Sequence, residues 1–235
     1  MLVGFWYHKP DQTREENPSI SPSWAANEAF IMNRIADLGM LVGIFILYWY
    51  TGSVQYDEVF AQLPYLDDTI LIGAAIALFI GAMGKSGQFG LHAWLPNAMN
   101  APTPVSALLH AATMVTAGVF LLARTSPLLE FAPYATVIIA VIGAITTIFA
   151  GTIGLVQNDF KSIIAYSTCS QLGYMVTICG LSNYNVGIFH LFNHAFFKAL
   201  LFLTAGAVIH ALANEQDVRK FAGLQQILIF SYTAL

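Results

Sequence analysis

Charged residues are scarce in this sequence. Of its 235 residues, only 9% are Asp, Glu, Lys or Arg, whereas 57% are hydrophobic. A soluble domain carries about 25% charged residues, so a soluble protein of this composition would lack the polar surface needed to cover its core. The composition therefore predicts an integral membrane protein, and the formal net charge of −4 gives no indication of nucleic-acid binding.

The sequence also lacks the short motifs by which enzymes hold cofactors and metals. It contains no glycine-rich dinucleotide or phosphate loop, no CxxC pair and no metal-spaced carboxylate cluster. Cys169 and Cys179 lie in one apolar run and are predicted to be small core residues. His190 and His194 have a spacing that suits zinc, but the glutamate of HExxH is missing because Ala195 follows His194. We predict no cofactor and no metal in this chain.

No cleavable signal peptide begins the sequence, because the apolar run 1–7 is followed by charge rather than preceded by it. Residues 1–27 are interpreted as the end of a truncated helix and a polar loop. Residues 224–235 are interpreted as the start of another truncated helix, too short to cross a bilayer. The region between them, 28–223, is the predicted six-helix membrane core.

Six stretches of this core are long and apolar enough to cross a bilayer, which predicts an all-α polytopic membrane protein. They are 28–52, 69–95, 105–124, 133–156, 161–181 and 187–212. The second stretch is interrupted by GKSGQFG, in which glycines surround Lys85, and Pro96, Pro102 and Pro104 follow. Proline and glycine interrupt helices, so we predict a broken helix at Lys85.

The distribution of lysine and arginine predicts the orientation. With six crossings, one side of the membrane holds most of the cations, namely Lys9, Arg14, Lys161, Arg219 and Lys220. Arg34 lies just inside the membrane on that side, and the opposite side has only Arg124. By the positive-inside rule, the cationic side faces the matrix or the cytoplasm.

The stretch 187–212 carries titratable side chains at bilayer depth. His190, His194 and Lys198 follow one another at steps of four, so all of them fall on one narrow helix face. A charged side chain at the bilayer centre costs roughly 2.5–3.5 kcal/mol, so this face should point into the protein, where water would relay protons. The alternative is packing histidines with a snorkelling lysine, but Lys198 lies about ten residues from either end of the stretch.

Two further residues are candidates for the same chemistry. Lys85 lies at the predicted break, where transporters place ion sites; the alternative is that the glycines serve close packing and Lys85 reaches the interface. His110 lies inside the third stretch, and the alternative is a hydrogen-bonded core histidine.

Four charged residues have simpler explanations. Arg34 and Asp37 are three apart on a helix and are expected to pair with each other. Asp159 and Lys161 lie at a span boundary, where helix capping and snorkelling are the default roles.

Three long segments carry a resemblance to a known family. They read GKSGQFGLHAWLPNAMNAPTPVSALLHAATMVTAGVFLLAR, QNDFKSIIAYSTCSQLGYM and FHLFNHAFFKALLFLTAGAVIHA. Through nearly all of 29–224 the chain resembles the chain 5 family of NADH–ubiquinone oxidoreductase, the distal antiporter-like membrane subunits of respiratory complex I. The resemblance implies part of an antiporter-like inverted-repeat fold that translocates protons.

The resemblance also implies roles for individual residues. The proton relay that it implies comprises Lys85, His110, His190, His194 and Lys198. The supporting charges that it implies are Arg34 and Asp37, in a motif written NRIAD here, and Asp159 and Lys161, in the loop NDFK.

The activity implied is that of a subunit of a proton-translocating NADH:ubiquinone reductase, with no redox chemistry in this chain. FMN, iron–sulfur clusters and ubiquinone are then expected on other subunits. The expected location is the mitochondrial inner membrane, with a bacterial plasma membrane as the alternative. The expected partners are lipids and other membrane-arm subunits, with no nucleic acid. Two other readings are a stand-alone cation/proton antiporter subunit and a purely structural membrane scaffold.

The sequence lacks the helix on which the resembling family carries the glutamate that pairs with the lysine matching Lys85. Asp37 is the only carboxylate inside the predicted spans apart from their ends, and Arg34 is expected to occupy it. We therefore predict that separate polypeptides supply front and rear helices, and that one of them presents a glutamate to Lys85. We also expect unpaired backbone groups at the break.

Overall fold

The computed structural model describes residues 2–8 and 21–235, without the side chain of Ile227, and these residues form helices and no strand. The helices are α1 Pro22–Thr51, α2 Tyr56–Gln62, α3 Asp68–Lys85, α4 Trp94–Asn97, α5 Thr103–Ala111, α6 Thr116–Arg124, α7 Ser126–Glu130, α8 Pro133–Val156, α9 Phe160–Gly180, α10 Tyr184–Ala211, α11 Leu224–Ile227 and α12 Ile229–Ala234. Short 3₁₀ turns follow α2 and α4 and precede α11. The predicted all-α membrane fold is confirmed.

Five helical segments of the described chain are both long and apolar enough to cross a membrane. They are Pro22–Thr51, Asp68–Lys85, Thr103–Arg124, Pro133–Val156 and Tyr184–Ala211. Helix α9 has 21 residues, about 31 Å, which is also enough to cross, but it is richer in polar residues. It packs against α8 and α10, so neighbouring helices cover much of its surface.

Helices α1 and α3 approach each other closely because glycines line their contact. A Cβ atom built on Gly84 would lie 2.1 Å from the Cβ of Ala36, and one on Gly81 would lie 2.6 Å from the Cβ of Met40. Small residues at helix contacts allow this approach within membranes. A glycine also allows close contact between α8 and α9, where a Cβ on Gly143 would lie 2.6 Å from the backbone nitrogen of Thr177.

Several helix boundaries differ from those predicted. Helix α1 begins at Pro22 rather than at 28, because Ser21 caps it by accepting from the Trp24 backbone N–H at 3.2 Å, with proline in the first turn. Residues 2–8 form turns rather than a helix end, and 9–20, with Lys9 and Arg14, lie outside the described residues. The predicted helix start at 224–235 is divided at Leu228 into α11 and α12.

The predicted third span, 105–124, is interrupted directly after His110. Helix α5 ends at Ala111, α6 begins at Thr116, and the Val115 backbone N–H reaches back to the Leu109 carbonyl at 3.4 Å. The Thr113 hydroxyl donates to the Leu108 carbonyl at 2.9 Å. Hydroxyls that compete for helical carbonyls weaken the regular helix, and no proline or glycine signals this second break in the sequence.

The loops sort to the two ends of the bundle as the lysine and arginine distribution predicts. Main-chain hydrogen bonds join 158–160 to 216–218, with Phe160 N–H to Gln216 O at 2.9 Å. The Lys161 ammonium donates to the Ala101 carbonyl at 3.2 Å, which places the link after α4 at the same end. At the other end, the Arg124 guanidinium lies over the ring of Tyr56, 4.4 Å from its centroid.

Candidate proton-relay site

Lys85 is the last residue of α3, so the predicted helix break at this position is confirmed. Its Nζ lies 3.0 Å from Oδ1 of Asp37, whereas the nearest Arg34 nitrogen is 3.9 Å from the other oxygen. Asp37 lies near the middle of the 30-residue α1, about 21–22 Å from either end. The expected ion pair between Arg34 and Asp37 is present, but it does not exclude Lys85, which shares the same carboxylate within its own chain.

Three backbone carbonyls at the break have side-chain donors, whereas unpaired groups were expected here. Gly84 O, in the last turn of α3, accepts from Trp94 Nε1 at 3.0 Å, Ser86 O accepts from Gln88 Nε2 at 3.1 Å, and Gly87 O accepts from Cys169 Sγ at 3.0 Å. Buried carbonyls without partners are costly, so these donors hold the break in one conformation.

The two helix breaks are joined to each other. The buried Ser86 hydroxyl, next to Lys85, donates to the Val115 carbonyl at 2.8 Å, at the end of the break after α5. The backbones meet closely here because Gly118 has no side chain: a Cβ on it would lie 2.4 Å from the Ala82 carbonyl oxygen. The segments that carry Lys85 and His110 are thereby held in contact.

His110 and His194 are fully buried imidazoles where α5 packs against α10. The His110 ring lies 5.4 Å from the Phe202 ring and the His194 ring lies 5.2 Å from the Phe197 ring, centroid to centroid. Within the described residues, neither ring nitrogen of His110 has a hydrogen-bond partner, whereas the His194 ring lies against the backbone of Ala111. His194 lies within electrostatic range of His110, His190 and Lys198.

Lys198 is buried at bilayer depth, with only 2% of its surface exposed. Its Nζ donates to the Ser167 hydroxyl at 2.5 Å and to the Ile164 carbonyl at 3.3 Å, both on α9. The alternative of a snorkelling lysine is wrong for this residue, because a snorkelling ammonium would reach water.

His190 is half-buried one turn away from His194. Its Nε2 lies 2.7 Å from Oε1 of Gln171, again on α9. Ser167 and Gln171 were not predicted from the sequence. They lie four residues apart on a helix, the same spacing that placed His190, His194 and Lys198 on one face of α10. Serine and glutamine carry no charge, so their position in an apolar stretch did not stand out.

The supporting charges lie apart from this cluster. The Asp159 carboxylate caps α9 by accepting from the Ser162 backbone N–H at 2.8 Å, in agreement with the default expectation. Lys161 is buried rather than snorkelling, with its ammonium on the Ala101 carbonyl. Arg34 has 62% of its side chain exposed.

The structure thus brings together four predicted relay residues on α5 and α10, and α9 packs beside them. These residues are His110, His190, His194 and Lys198. Lys85 pairs separately with Asp37, and among the described residues no hydrogen bond or ion pair joins Lys85 to His110. The assignment of a proton relay to these five residues stays a prediction.

Comparison with known proteins decides the family. The transmembrane profile of the NADH:quinone oxidoreductase/Mrp antiporter family matches residues 13–234. The chain belongs to this family. Over its whole length it is 51% identical to NADH-ubiquinone oxidoreductase chain 5 of Rhizopus stolonifer and 54% identical to that of Metridium senile, covering 34% and 38% of them. It is 51% identical to NADH-quinone oxidoreductase subunit L of Rhodobacter capsulatus, covering 33% of that protein.

Two solved structures have a similar fold. The Mrp complex from Dietzia sp. DQ12-45-1b superposes with a TM-score of 0.78 at 32% identity, over 83% of this chain and 22% of that one. An archaeal membrane-bound sulfane sulfur reductase superposes with a TM-score of 0.86 at 24% identity, over 100% of this chain and 47% of that one. The chain therefore has the antiporter-like membrane fold, and it spans about a third of the length of the curated relatives.

Proposed function

We propose that this chain forms the proton-translocating core of a chain 5-type membrane-arm subunit of a respiratory NADH:ubiquinone oxidoreductase. The observation that carries the proposal is the buried Lys198 beside His194 and His110, three titratable groups inside a bundle of membrane-crossing helices. Groups of this kind are costly inside a membrane and mark proton pathways. The identity of 51–54% to chain 5 and subunit L proteins supports the same activity.

Lys85 is proposed to load and release the proton. Moving one proton against roughly 150–200 mV costs about 3.5–4.6 kcal/mol. The Lys85 ammonium lies 3.0 Å from the Asp37 carboxylate, and the two opposite charges attract each other. A movement that separates the two groups would weaken this attraction, and such a movement is proposed to drive release of the proton.

His110, His194 and His190 are proposed to pass the proton to and from Lys198. A neutral imidazole has one nitrogen that donates and one that accepts, so a proton can enter on one side and leave on the other. Buried polar atoms nearly always have a partner. The unpartnered nitrogens of His110 therefore favour water in this region, which would connect His110 to His194.

The chain's own residues bind no redox group in this proposal. Electron transfer through FMN, iron–sulfur clusters and ubiquinone is assigned to other subunits, and its energy would reach Lys85 as a change in electrostatics or conformation. Asp159 and Lys161 would fix the start of α9, and Arg34 would adjust the charge near Asp37. The proposed location is the mitochondrial inner membrane, with other membrane-arm subunits and lipids covering exposed apolar residues such as Phe45 and Trp49.

The experiment replaces Lys198 by methionine in the assembled complex. In sealed vesicles, NADH oxidation and proton uptake are measured together, and the expected result is fewer protons per NADH because the relay has lost its buried cation. Lys220→Met is the matched control, since its ammonium pairs with Glu215 outside the helices. An unchanged ratio in the Lys198→Met complex would contradict the proposal.

The likeness to the Mrp complex, at 32% identity, favours a second candidate, a cation/proton antiporter subunit. The two candidate functions differ in whether proton movement depends on a metal-cation gradient. A sodium or potassium gradient that drives proton movement through vesicles without NADH, and that Lys198→Met abolishes, would favour the antiporter.

A further inference from the structure

Lys198 depends on very few groups for its position. Its ammonium contacts the Ser167 hydroxyl at 2.5 Å and the Ile164 carbonyl at 3.3 Å, and the Phe197 ring centroid lies 6.0 Å away. Within the part of the chain that the structure describes, no carboxylate lies within ion-pair distance of this nitrogen. Two uncharged oxygens on one turn of α9 therefore hold a buried cation.

These two oxygens differ in what they can do. The Ile164 carbonyl only accepts hydrogen bonds, and it already accepts from the hydroxyls of Ser167 and Thr168, each at 2.9 Å. A hydroxyl both donates and accepts, and its hydrogen can rotate. Ser167 is thus the partner of Lys198 that can respond when the lysine changes charge.

We propose that Ser167 is a positioning residue that holds Lys198 in both of its protonation states; the proposal rests on the proton-translocating function given above. With the ammonium, the hydroxyl accepts from Nζ and donates to the Ile164 carbonyl, as the distances of 2.5 Å and 2.9 Å indicate. With the neutral amine, the hydroxyl turns its hydrogen to the nitrogen lone pair. Lys198 then keeps its place between successive protons.

The next turn of α9 repeats the arrangement. Gln171 lies four residues after Ser167 and meets His190 with 2.7 Å between side-chain atoms. An amide has both an oxygen that accepts and an NH₂ group that donates, so it also fits either state of its partner. Helix α9 therefore contributes a face of adaptable, uncharged groups opposite the titratable face of α10.

The test compares two adjacent hydroxyls in the assembled complex. Ser167→Ala removes the contact with Lys198. Thr168→Val removes a hydroxyl that donates to the same Ile164 carbonyl and makes no other side-chain hydrogen bond within the described residues. Protons taken up per NADH are measured, with Lys198→Met as the reference for a lost relay. We expect Ser167→Ala to slow transfer through Lys198 about tenfold, the factor that corresponds to one hydrogen bond to a charged group.

Protons per NADH should then fall toward the Lys198→Met value in Ser167→Ala, and stay unchanged in Thr168→Val. Ser167→Thr keeps the hydroxyl and should retain the normal number of protons per NADH. This result would attribute the loss in Ser167→Ala to the missing hydroxyl and not to altered packing. Ser167→Cys, of nearly the same size, serves if the alanine variant fails to assemble; its weak donor should give an intermediate ratio.

The outcomes separate two failures. If Lys198→Met lowers the ratio but Ser167→Ala and Ser167→Cys do not, the role of Ser167 is wrong and the proton-translocating function stands. Equal losses in Ser167→Ala and Thr168→Val, or a loss in Ser167→Thr, would overturn the role of Ser167 as well. If Lys198→Met itself changes nothing, the proposed function fails.

Discussion

Asp37 and Lys85 meet about halfway along α1, and both side chains are partly buried, with exposed fractions of 25% and 31%. Their contact is 3.0 Å, whereas Arg34 reaches the same carboxylate only at 3.9 Å from an exposed position. Removal of either partner leaves the other charge without its counter-ion inside the membrane-crossing part of the bundle, where charges are costly. The charge of Lys85 is therefore tied to Asp37.

Asp37→Asn keeps the size of the side chain and removes its charge. We expect the proton transport assigned to this chain to fall at least about tenfold, the factor for one hydrogen bond to a charged group, because Lys85 loses the carboxylate that lies 3.0 Å from its ammonium. Proton uptake per NADH in sealed vesicles is the measurement. Arg34→Gln is the matched control, since an exposed pair contributes about 0–1 kcal/mol. A larger effect in Arg34→Gln than in Asp37→Asn would refute the pairing seen here.

At the scale of residues, the sequence predicted which titratable side chains are buried better than it predicted the groups that contact them. The four-residue spacing correctly placed His194 and Lys198 in the interior, because helical geometry fixes which residues share a face. It missed Asp37 as the partner of Lys85, since a local pair with Arg34 was available and the contact between α1 and α3 cannot be derived from spacing. Ser167 was missed because an uncharged side chain does not stand out in an apolar stretch.

At the scale of helices, the break at Lys85 is an ordered structure. Its carbonyls have side-chain donors, and Ser86 ties it to the break at Val115. Helix breaks inside membranes are tolerated where neighbouring groups satisfy the backbone. The glycines and prolines near Lys85 made this break predictable, whereas the break after His110 depends on threonine hydroxyls and on the distant Ser86, which sequence patterns do not reveal.

Ser86→Ala should loosen the connection between the two breaks. It leaves the buried Val115 carbonyl without its hydroxyl donor, at a cost of about 1–3 kcal/mol. The expected result is a lower temperature at which the assembled complex loses proton transport on heating. Ser106→Ala is the control, because that equally buried hydroxyl donates at 3.5 Å to a carbonyl of its own segment. Equal losses in both variants would argue against a specific role for Ser86.

Gly84→Ala should push α1 away from α3. The added methyl group would lie 2.1 Å from the Ala36 Cβ, and overpacking of this kind costs about 1–3 kcal/mol. We expect less assembled complex and a weaker contact between Lys85 and Asp37, measured as complex yield and as protons per NADH. Gly73→Ala is the matched control on the same helix, because nothing lies within 4 Å of its added Cβ. Normal assembly and transport in Gly84→Ala would contradict the close packing described.

At the scale of the whole molecule, the loops at the cationic end form one connected surface. Backbone hydrogen bonds join 158–160 to 216–218, and Asp217 accepts from the Arg219 side chain at 2.6 Å. That bond holds the pKa of the Asp217 carboxyl at about 2, below its usual range, so it is ionised at every physiological pH. The stabilisation is present above the ordinary pKa of this group and is lost only as the pH falls toward 2.

Two single cysteines test the orientation of the molecule. Asn158 is exposed at the cationic end, and Gln55 is exposed after α1 at the other end, so the three crossings between them should place them on opposite sides. In mitochondrial membranes we expect a membrane-impermeant thiol reagent to label Asn158→Cys from the matrix side and Gln55→Cys from the opposite side. The native Cys169 and Cys179 are buried and should give little background. A missing or additional crossing would move one site to the other face, so labelling of both cysteines from the same side would refute the arrangement of helices. Labelling from exchanged sides would refute only the predicted orientation.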